Sequence, residues 1–207
     1  MTARTIRVLD LFAGAGGLTA GFHTASPRFR SIAAVEMDPE AAASYRATFP
    51  KTDVYAGAIQ DWLAEGTIPT GVDVVVGGPP CQGFSTLGKR DAEDARNRLW
   101  EQYAQVIQRA KPKYFVVENV PAFGKSPQYR DFLAATRPGE FLEDYSFDFR
   151  VLNAADYGAP QARRRAVLIG HRYDMAVPGF PEPTHSPDGG GDLPPYRTVR
   201  QTLLGVP

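Results

Sequence analysis

The 207-residue sequence contains a single cysteine, Cys81, and its 23 Lys and Arg residues are balanced by 23 Asp and Glu residues. One cysteine excludes a disulfide-stabilised scaffold. No run approaches the roughly 18 apolar residues that a membrane-spanning helix needs, and the N-terminus lacks the apolar segment of a signal peptide. A cytoplasmic protein without membrane contact is therefore expected. A net charge of zero gives no global attraction to nucleic acid, so any such binding must come from local clusters of charge.

Short apolar runs alternate with helical stretches along the chain. The predicted strands are Ile6–Leu11, Ile32–Glu36, Val72–Val76, Tyr114–Val117 and Ala166–Gly170, and the third, fourth and fifth read as buried strands. The predicted helices are Glu40–Thr48, which follows Asp38-Pro39 as N-cap and first helical position, and Asn97–Ala110, which has an apolar stripe. This alternation predicts the α/β class, with a mostly parallel sheet covered by helices on both faces.

The end of the sequence differs from the rest in composition. Ten of the eighteen residues from Pro178 to Pro195 are Pro or Gly, which is typical of a loop or linker. We therefore predict one domain over residues 1–177, followed by a Pro/Gly-rich segment over residues 178–207.

A glycine cluster, Gly14, Gly16 and Gly17, follows the first predicted strand and opens a helix. Glycines at such a place let the backbone turn tightly and approach a ligand, and a helix N-terminus offers free N–H groups. Glu36 ends the second predicted strand, about where an acid binds a ribose in dinucleotide folds. The spacing is not the dinucleotide G-x-G-x-x-G, because position 19 is Thr. A nucleoside cofactor is favoured, with a purely structural turn as the alternative.

Cys81 lies in a loop rich in Gly and Pro that follows the run Val72–Val76. In parallel sheets, ligands bind at the carboxyl ends of the strands, and Pro79 and Pro80 favour an extended loop. A lone cysteine is usually a small buried side chain, but this setting favours a functional thiol.

Several ordered blocks of the chain resemble the cytosine-C5 DNA methyltransferases. Asp10–Gly17 is similar to the S-adenosylmethionine loop of that family, and Val35–Asp38 to its ribose-binding block. Gly78–Ser85 is similar to its nucleophile loop, Glu118–Val120 to its acid block and Gln161–Arg165 to its Gln-x-Arg-x-Arg block. The resemblance implies a Rossmann-like methyltransferase fold, S-adenosylmethionine as cofactor and DNA as partner.

The resemblance also implies covalent catalysis, because C5 of cytosine is too weak a nucleophile to attack a methyl sulfonium unaided. The Cys81 thiolate would add to C6 of a base flipped out of the duplex, and Glu118 would hydrogen-bond and protonate N3. Arg163 and Arg165 would serve the active site, one bracing the loop and the other reaching the cytosine O2 or a flanking phosphate. Alternation along a strand would put these two arginines on one face and Arg164 on the other, whereas a solvated run of charge is the alternative interpretation.

The remaining site residues follow from the same resemblance. Phe12 would stack on the adenine, Met37 would pack on it, and Glu36 would accept hydrogen bonds from the ribose hydroxyls. The cofactor residues implied are Phe12, Gly14, Gly16, Gly17, Glu36, Met37, Ile59, Pro79 and Leu99. The residues implied to contact or position the substrate are Pro80, Gln82, Ser85, Asn119 and Gln161. No metal site is expected.

The chain departs from the family pattern in two places. The family's Gly-Asp-Ile block reads Gly57-Ala58-Ile59 here, so the acceptor for the adenine amino group is missing unless a loop shift brings in Asp61. Loss of one hydrogen bond predicts a cofactor affinity lower by about 1 kcal/mol. In addition, the family continues with a target-recognition domain and two further blocks, for which the residues after Pro195 are too few.

Three functional hypotheses remain. The first is the catalytic subunit of a split restriction-modification methyltransferase, with a second polypeptide supplying the target-recognition domain. The second is a catalytically incompetent remnant or a binding module of the same fold. The third is an RNA cytosine methyltransferase, which the Gly83-Phe84-Ser85 sequence disfavours. Under the first, a prokaryotic or phage protein associated with the nucleoid is expected.

Overall fold

The computed structural model describes residues 4–66, 68–80 and 99–204. Within these ranges, seven strands form one sheet in the order β3-β2-β1-β4-β5-β7-β6. The strands are β1 (Ile6–Leu11), β2 (Phe29–Glu36), β3 (Asp53–Ala56), β4 (Val74–Gly77), β5 (Tyr114–Asn119), β6 (Tyr145–Asn153) and β7 (Arg164–Arg172).

The described helices connect the strands. The α-helices are α1 (Gly17–Ala25), α2 (Pro39–Thr48), α3 (Ile59–Glu65), α4 (Leu99–Ala110), α5 (Pro127–Ala135) and α6 (Val199–Leu203), with 3-10 turns at Pro121–Lys125 and Ala154–Tyr157. None of these helices is long and apolar enough to cross a membrane.

The sheet is mostly parallel, as predicted. Strands β1 to β5 pair in parallel, whereas β7 lies antiparallel between β5 and β6. Strand β1 has β2 on one side and β4 on the other, so the strand order reverses at β1 and β4. The carboxyl ends of these two strands therefore form the switch point at which α/β sheets bind their ligands.

Helices cover both faces of the sheet, as predicted. On one face, α3, α4 and α5 pack their buried side chains on alternate residues of the central strands, for example Trp62, Ile107 and Phe132 in one cluster with Val75 and Phe115. On the other face, α1 packs against β1 and β4, and α2 packs against β2 and β3.

The prediction of buried strands at Tyr114–Val117 and Ala166–Gly170 is wrong for one face, where Val167 and Ile169 of β7 are also only partly buried. Phe115 and Val117 are buried, but Tyr114 and Val116 are only partly buried. The reason is a groove over β4, β5 and β7 on the face that carries α1 and α2. The side chains of each run point to both faces of the sheet, yet the described residues cover only one of these faces.

Local chemistry fixes the ends of the elements near the sheet edge. The Asp38 carboxylate accepts hydrogen bonds from the amides of Glu40 and Ala41, each at 2.9 Å, which caps α2 as predicted. The Tyr103 hydroxyl of α4 donates toward the carbonyl oxygens of Val75 and Val116 at 3.1 and 2.9 Å. These bonds tie α4 to the two strands that lead to the candidate site.

The Pro/Gly-rich segment from Pro178 onward contacts the rest of the chain. The amides of Thr184 and His185 donate to the Asp156 carbonyl oxygen at 2.8 and 3.0 Å, and the Tyr196 hydroxyl bonds the Asp156 carboxylate. The division into residues 1–177 and 178–207 stays a prediction.

Candidate active site

The site is built where β1 and β4 end side by side. Leu11 is paired with Gly77 in the parallel ladder between these strands. A Cβ atom at Gly77 would lie 2.4 Å from the Leu11 carbonyl oxygen, so only glycine permits this approach. The glycine-rich loop after β1 and the Gly78-Pro79-Pro80 segment after β4 consequently leave the sheet next to each other.

Glu36 fixes the conformation of the glycine-rich loop. Its Oε2 accepts a hydrogen bond from the Gly14 amide at 2.7 Å, and its Oε1 accepts one from the Asp38 amide at 2.8 Å. The loop itself needs left-handed backbone, with φ of +55° at Phe12 and +93° at Gly16. The carboxylate thus links the end of β2 to the turn that follows β1.

A pocket of about 180 Å³ opens beside this loop. Of the residues implied for the cofactor, Phe12, Glu36, Met37, Ile59 and Leu99 line it. The others that line it are Val35, Gly57, Ala58, Gln60, Gly78 and Pro80. Flat apolar walls with one carboxylate at the edge suit a nucleoside, whose base is apolar on both faces and whose ribose donates hydroxyl hydrogen bonds.

The structure distributes the other cofactor residues around this pocket. Gly14 adjoins it through its bond to Glu36, whereas Gly16, Gly17 and Pro79 are not among the lining residues. Gly16 instead packs against α2, because a Cβ there would lie 2.4 Å from the Phe49 ring.

A buried polar chain lies directly beneath the loop and was not predicted from the sequence. The Thr19 hydroxyl donates to Asp10 Oδ2 at 2.7 Å, and the Tyr45 hydroxyl lies 2.7 Å from both the Thr19 and the Ser31 hydroxyl oxygens. Asp10 Oδ1 is buried without a hydrogen-bond partner among the described residues. Burial raises the pKa of Asp10 to about 7, with a further contribution from the charge of Glu36. The sequence signal for this buried group is an acidic residue, Asp10, within the mostly apolar run Ile6–Leu11.

A second cluster lies at the end of β5. Arg165 Nε is 2.8 Å from Glu118 Oε1, and the side chains of Arg165 and Glu118 are 27% and 31% exposed. The buried Asn119 side chain donates from Nδ2 to the Pro79 carbonyl oxygen at 3.0 Å and accepts the Val120 amide at 2.8 Å. Glu118 is also close to β4, because a Cβ at Gly78 would lie 3.1 Å from Glu118 Oε2. The acid block therefore touches the start of the segment that leads to Cys81.

The family model for C-5 cytosine-specific DNA methylases matches residues 6–196. The chain belongs to this family. It is 43% identical over 198 residues to the type II methyltransferase M.XorII of Xanthomonas oryzae, covering 90% of this chain and 46% of that one. It is 35% identical over 223 residues to the type II methyltransferase M.AquIA of Picosynechococcus, covering 97% of this chain and 89% of that one.

A solved structure agrees with the family assignment. A DNA modification methyltransferase encoded within an E. coli prophage superposes with a TM-score of 0.71 at 27% identity, covering 98% of this chain and 56% of that chain. The chain thus spans about half the length of that structure and of M.XorII. Methylases of this family use S-adenosylmethionine, and the nucleoside pocket fits that cofactor.

The acid block and the Gln161–Arg165 block of the methylase motifs are placed as follows. Glu118 and Arg165 are in contact, whereas Gln161, Arg163 and Arg164 are exposed. Strand β7 begins at Arg164, so Arg163 precedes it. The predictions for Cys81, Gln82 and Ser85 fall outside the described residues.

The departure at Ala58 is visible in the methylase pocket. Ala58 lines the pocket and occupies the N-cap of α3 without a side-chain hydrogen bond. Asp61 is not among the lining residues, whereas Gln60 is. Sequence reasoning missed Gln60, because the first turn of α3 decides which of the two polar side chains reaches the pocket.

Proposed function

We propose that this chain carries the catalytic half of an enzyme that transfers a methyl group from S-adenosylmethionine to C5 of cytosine in DNA. The observation that carries the proposal is the contact of Glu118 with Arg165 at the end of β5, beside the strand that leads to Cys81. Family membership supplies the reaction class, and the geometry supports a role for these side chains in it.

Each residue has a distinct part in the proposed reaction. The Cys81 thiolate bonds to C6 of the flipped-out cytosine while Glu118 gives a proton to N3, which makes C5 electron-rich enough to take the methyl group. Loss of the C5 proton to water then breaks the bond between sulfur and C6 and restores the thiolate. N3 returns its proton to Glu118, which closes the cycle. Arg165 orients the Glu118 carboxyl through its Nε contact. Asn119 fixes Pro79 and, with it, the start of the Cys81 loop.

The pocket beside the glycine-rich loop is the proposed cofactor site. Phe12 and Leu99 form apolar walls for the base, and Glu36 lies at the edge where ribose hydroxyls would donate. A carboxylate has about four lone-pair positions, and Glu36 uses two of them for Gly14 and Asp38. Gln60 lines the pocket, and in this proposal it accepts from the adenine amino group in place of the acid that Ala58 lacks. When bound, S-adenosylmethionine supplies the methyl group.

We further propose that DNA recognition comes from a second polypeptide. The match covers 46% of M.XorII, so it leaves out more than half of that longer relative. The match with M.AquIA covers 97% of this chain and 89% of that one, so the relatives include a type II methyltransferase chain of similar length. Both relatives are bacterial proteins, which supports a cytoplasmic location at the nucleoid.

A trapping assay tests this function. DNA containing 5-fluorodeoxycytidine is mixed with S-adenosylmethionine and the chain, together with the part of M.XorII that the match leaves out. Fluorine at C5 cannot leave as a proton does, so the adduct with Cys81 accumulates. We expect a covalent band that is absent in Cys81→Ser and retained in the exposed-residue control Ser44→Ala. No adduct would favour the incompetent remnant, and methylation of tRNA instead of DNA would favour the RNA enzyme.

A further inference from the structure

The turn that precedes β7 is bonded to the arginine block of the site. The 3-10 turn Ala154–Tyr157 follows β6 directly. The Ala154 amide donates to the Arg163 carbonyl oxygen at 2.9 Å, and Arg163 is two residues before Arg165, which contacts Glu118. A displacement of this turn would therefore move the backbone that presents Arg165 to Glu118.

The Asp156 side chain in this turn is the centre of a polar cluster with Asn153 and Tyr196. Its Oδ1 accepts hydrogen bonds from the Tyr196 hydroxyl and from Asn153 Nδ2, the latter at 3.2 Å. Asn153 Nδ2 also lies 3.5 Å from the Tyr196 hydroxyl oxygen, and all three residues are partly buried. The hydrogen bond to Asp156 raises the pKa of the Tyr196 hydroxyl above its usual value of 10.0. Tyr196 consequently stays a protonated donor at neutral pH.

The backbone of Asp156 also contacts the Pro/Gly-rich segment. Its carbonyl oxygen accepts hydrogen bonds from the amides of Thr184 and His185 at 2.8 and 3.0 Å. The His185 ring packs on the residue that ends the turn, because a Cβ at Gly158 would lie 2.7 Å from that ring. The backbone bonds would survive any substitution of the Asp156 side chain, whereas the bond from Tyr196 needs an acceptor atom there.

The cluster joins three parts of the chain at one point. Asn153 ends β6, Asp156 lies in the 3-10 turn, and Tyr196 belongs to the Pro/Gly-rich segment, 40 positions from Asp156. A hydrogen bond between partly buried groups is less open to competition from water than one between exposed groups. The position of the turn is therefore set by the Pro/Gly-rich segment as well as by β6.

We propose that Tyr196 is a positioning residue that acts through Asp156. The bond from its hydroxyl fixes the turn before β7 and, through the backbone of Arg163, the contact of Arg165 with Glu118. This inference rests on the proposed function, in which Arg165 orients Glu118. A misplacement of about 1 Å can slow an oriented reaction about 100-fold, so loss of the hydroxyl should slow adduct formation rather than weaken DNA binding.

NMR of the arginine side chains tests the geometry without any need for activity. In the 207-residue chain labelled with ¹⁵N-arginine, the Nε–Hε signal of Arg165 is identified by its loss in Arg165→Lys, and it reports the contact with Glu118. We expect Tyr196→Phe and Asp156→Ala to shift this signal toward that of a solvated arginine. The double variant should shift it no further than either single variant, since both remove the same bond. Asp156→Asn keeps an oxygen acceptor for Tyr196 and should retain the wild-type signal.

A matched control removes a hydroxyl elsewhere. Tyr173 is 65% exposed and follows the far end of β7, so Tyr173→Phe should leave the Arg165 signal unchanged. In the trapping assay with 5-fluorodeoxycytidine DNA, Tyr196→Phe should slow adduct formation at saturating DNA about tenfold. The DNA concentration that gives half the maximal rate should stay within twofold, because the hydroxyl acts on the chemical step.

The outcomes separate this proposal from the proposed function. A wild-type Arg165 signal in both Tyr196→Phe and Asp156→Ala, even with lowered stability, would mean that the bond only fastens the Pro/Gly-rich segment and would overturn the proposal. Additive shifts in the double variant, or an unchanged adduct rate in Tyr196→Phe, would also overturn it. A shifted Arg165 signal in variants of a chain whose wild type forms no adduct would leave the positioning of Arg165 standing and refute the methylation proposal.

Discussion

Replacing Asp10 by Asn should change how the stability of the protein depends on pH. The pKa of Asp10 is raised from 3.8 to about 7, chiefly because the side chain is buried. Below pH 3.8 the carboxyl is protonated in both the folded and the unfolded chain, so it has no differential effect. Between these values the unfolded chain ionises while the folded chain keeps the proton, so the free energy of unfolding falls as pH rises. Above pH 7 the loss is complete.

The size of the effect follows from the two pKa values. A difference of about 3 pH units corresponds to about 4 kcal/mol at full ionisation, and about 2.5 kcal/mol of this develops between pH 5 and pH 8. Asn does not ionise and can still accept the hydrogen bond from Thr19. We therefore expect the stability of Asp10→Asn, relative to wild type, to rise by about 2.5 kcal/mol over this interval.

Urea unfolding followed by circular dichroism at pH 5, 6, 7 and 8 measures this difference. Asp73→Asn is the matched control. Although partial burial opposes it, the hydrogen bonds from the Arg7 amide and Lys113 hold the pKa of Asp73 below its usual range. Its stabilising effect is lost only as pH falls through that lowered pKa, so the control should be flat between pH 5 and pH 8. If the free energies of unfolding of wild type and Asp10→Asn changed equally with pH, the raised pKa of the buried carboxyl would be refuted.

Three further predictions concern the proposed cofactor pocket and the contact between Glu118 and Arg165. In a chain that also carries Gln60→Ala, Ala58→Asp should raise S-adenosylmethionine affinity about fivefold in calorimetry, whereas Ala58→Ser, which can also cap α3, should not. Equal affinities with and without Ala58→Asp in that background would contradict the need for an acceptor at this place. Gln60→Ala should lower that affinity by a similar factor, and an unchanged Kd would remove Gln60 from the site. Arg165→Ala should slow adduct formation on 5-fluorodeoxycytidine DNA about 100-fold, with Arg164→Ala within twofold, and equal rates would exclude orientation of Glu118 by Arg165.

The sequence pattern predicted four of the five strands β1 to β5 and, as Ala166–Gly170, the central part of β7, but it missed β3 and β6. Ile6–Leu11 is a strand with the predicted ends, because its apolar run is bounded by a glycine loop. Strand β6 was missed, although Tyr145, Phe147, Phe149 and Val151 alternate with other residues as in a half-buried strand. Strand β3 has only four residues, too few for its pattern to stand out. The insertion of β7 between β5 and β6 is a tertiary pairing that leaves no local signal in the sequence.

The candidate site was predictable only where a motif carried it. The resemblance named both Glu118 and Arg165, but neither periodicity nor spacing could bring residues from separate strands into contact. Asp10 was named only as part of the glycine loop, because its importance arises from burial. Gln60 was missed because its role depends on the direction of one helical turn.

The antiparallel direction of β7 determines which changes in chain length the site can tolerate. Arg165 lies at the beginning of β7 and Glu118 near the end of β5, and opposite directions bring these positions to the same edge of the sheet. The connection from β6 to β7 can therefore vary in length beyond its 3-10 turn while the pair stays together. Insertion of one residue between Arg165 and Val167 would instead rotate Arg165 to the α3–α5 face, since side chains alternate along a strand. Natural relatives should consequently place insertions before β7 and keep the spacing within it.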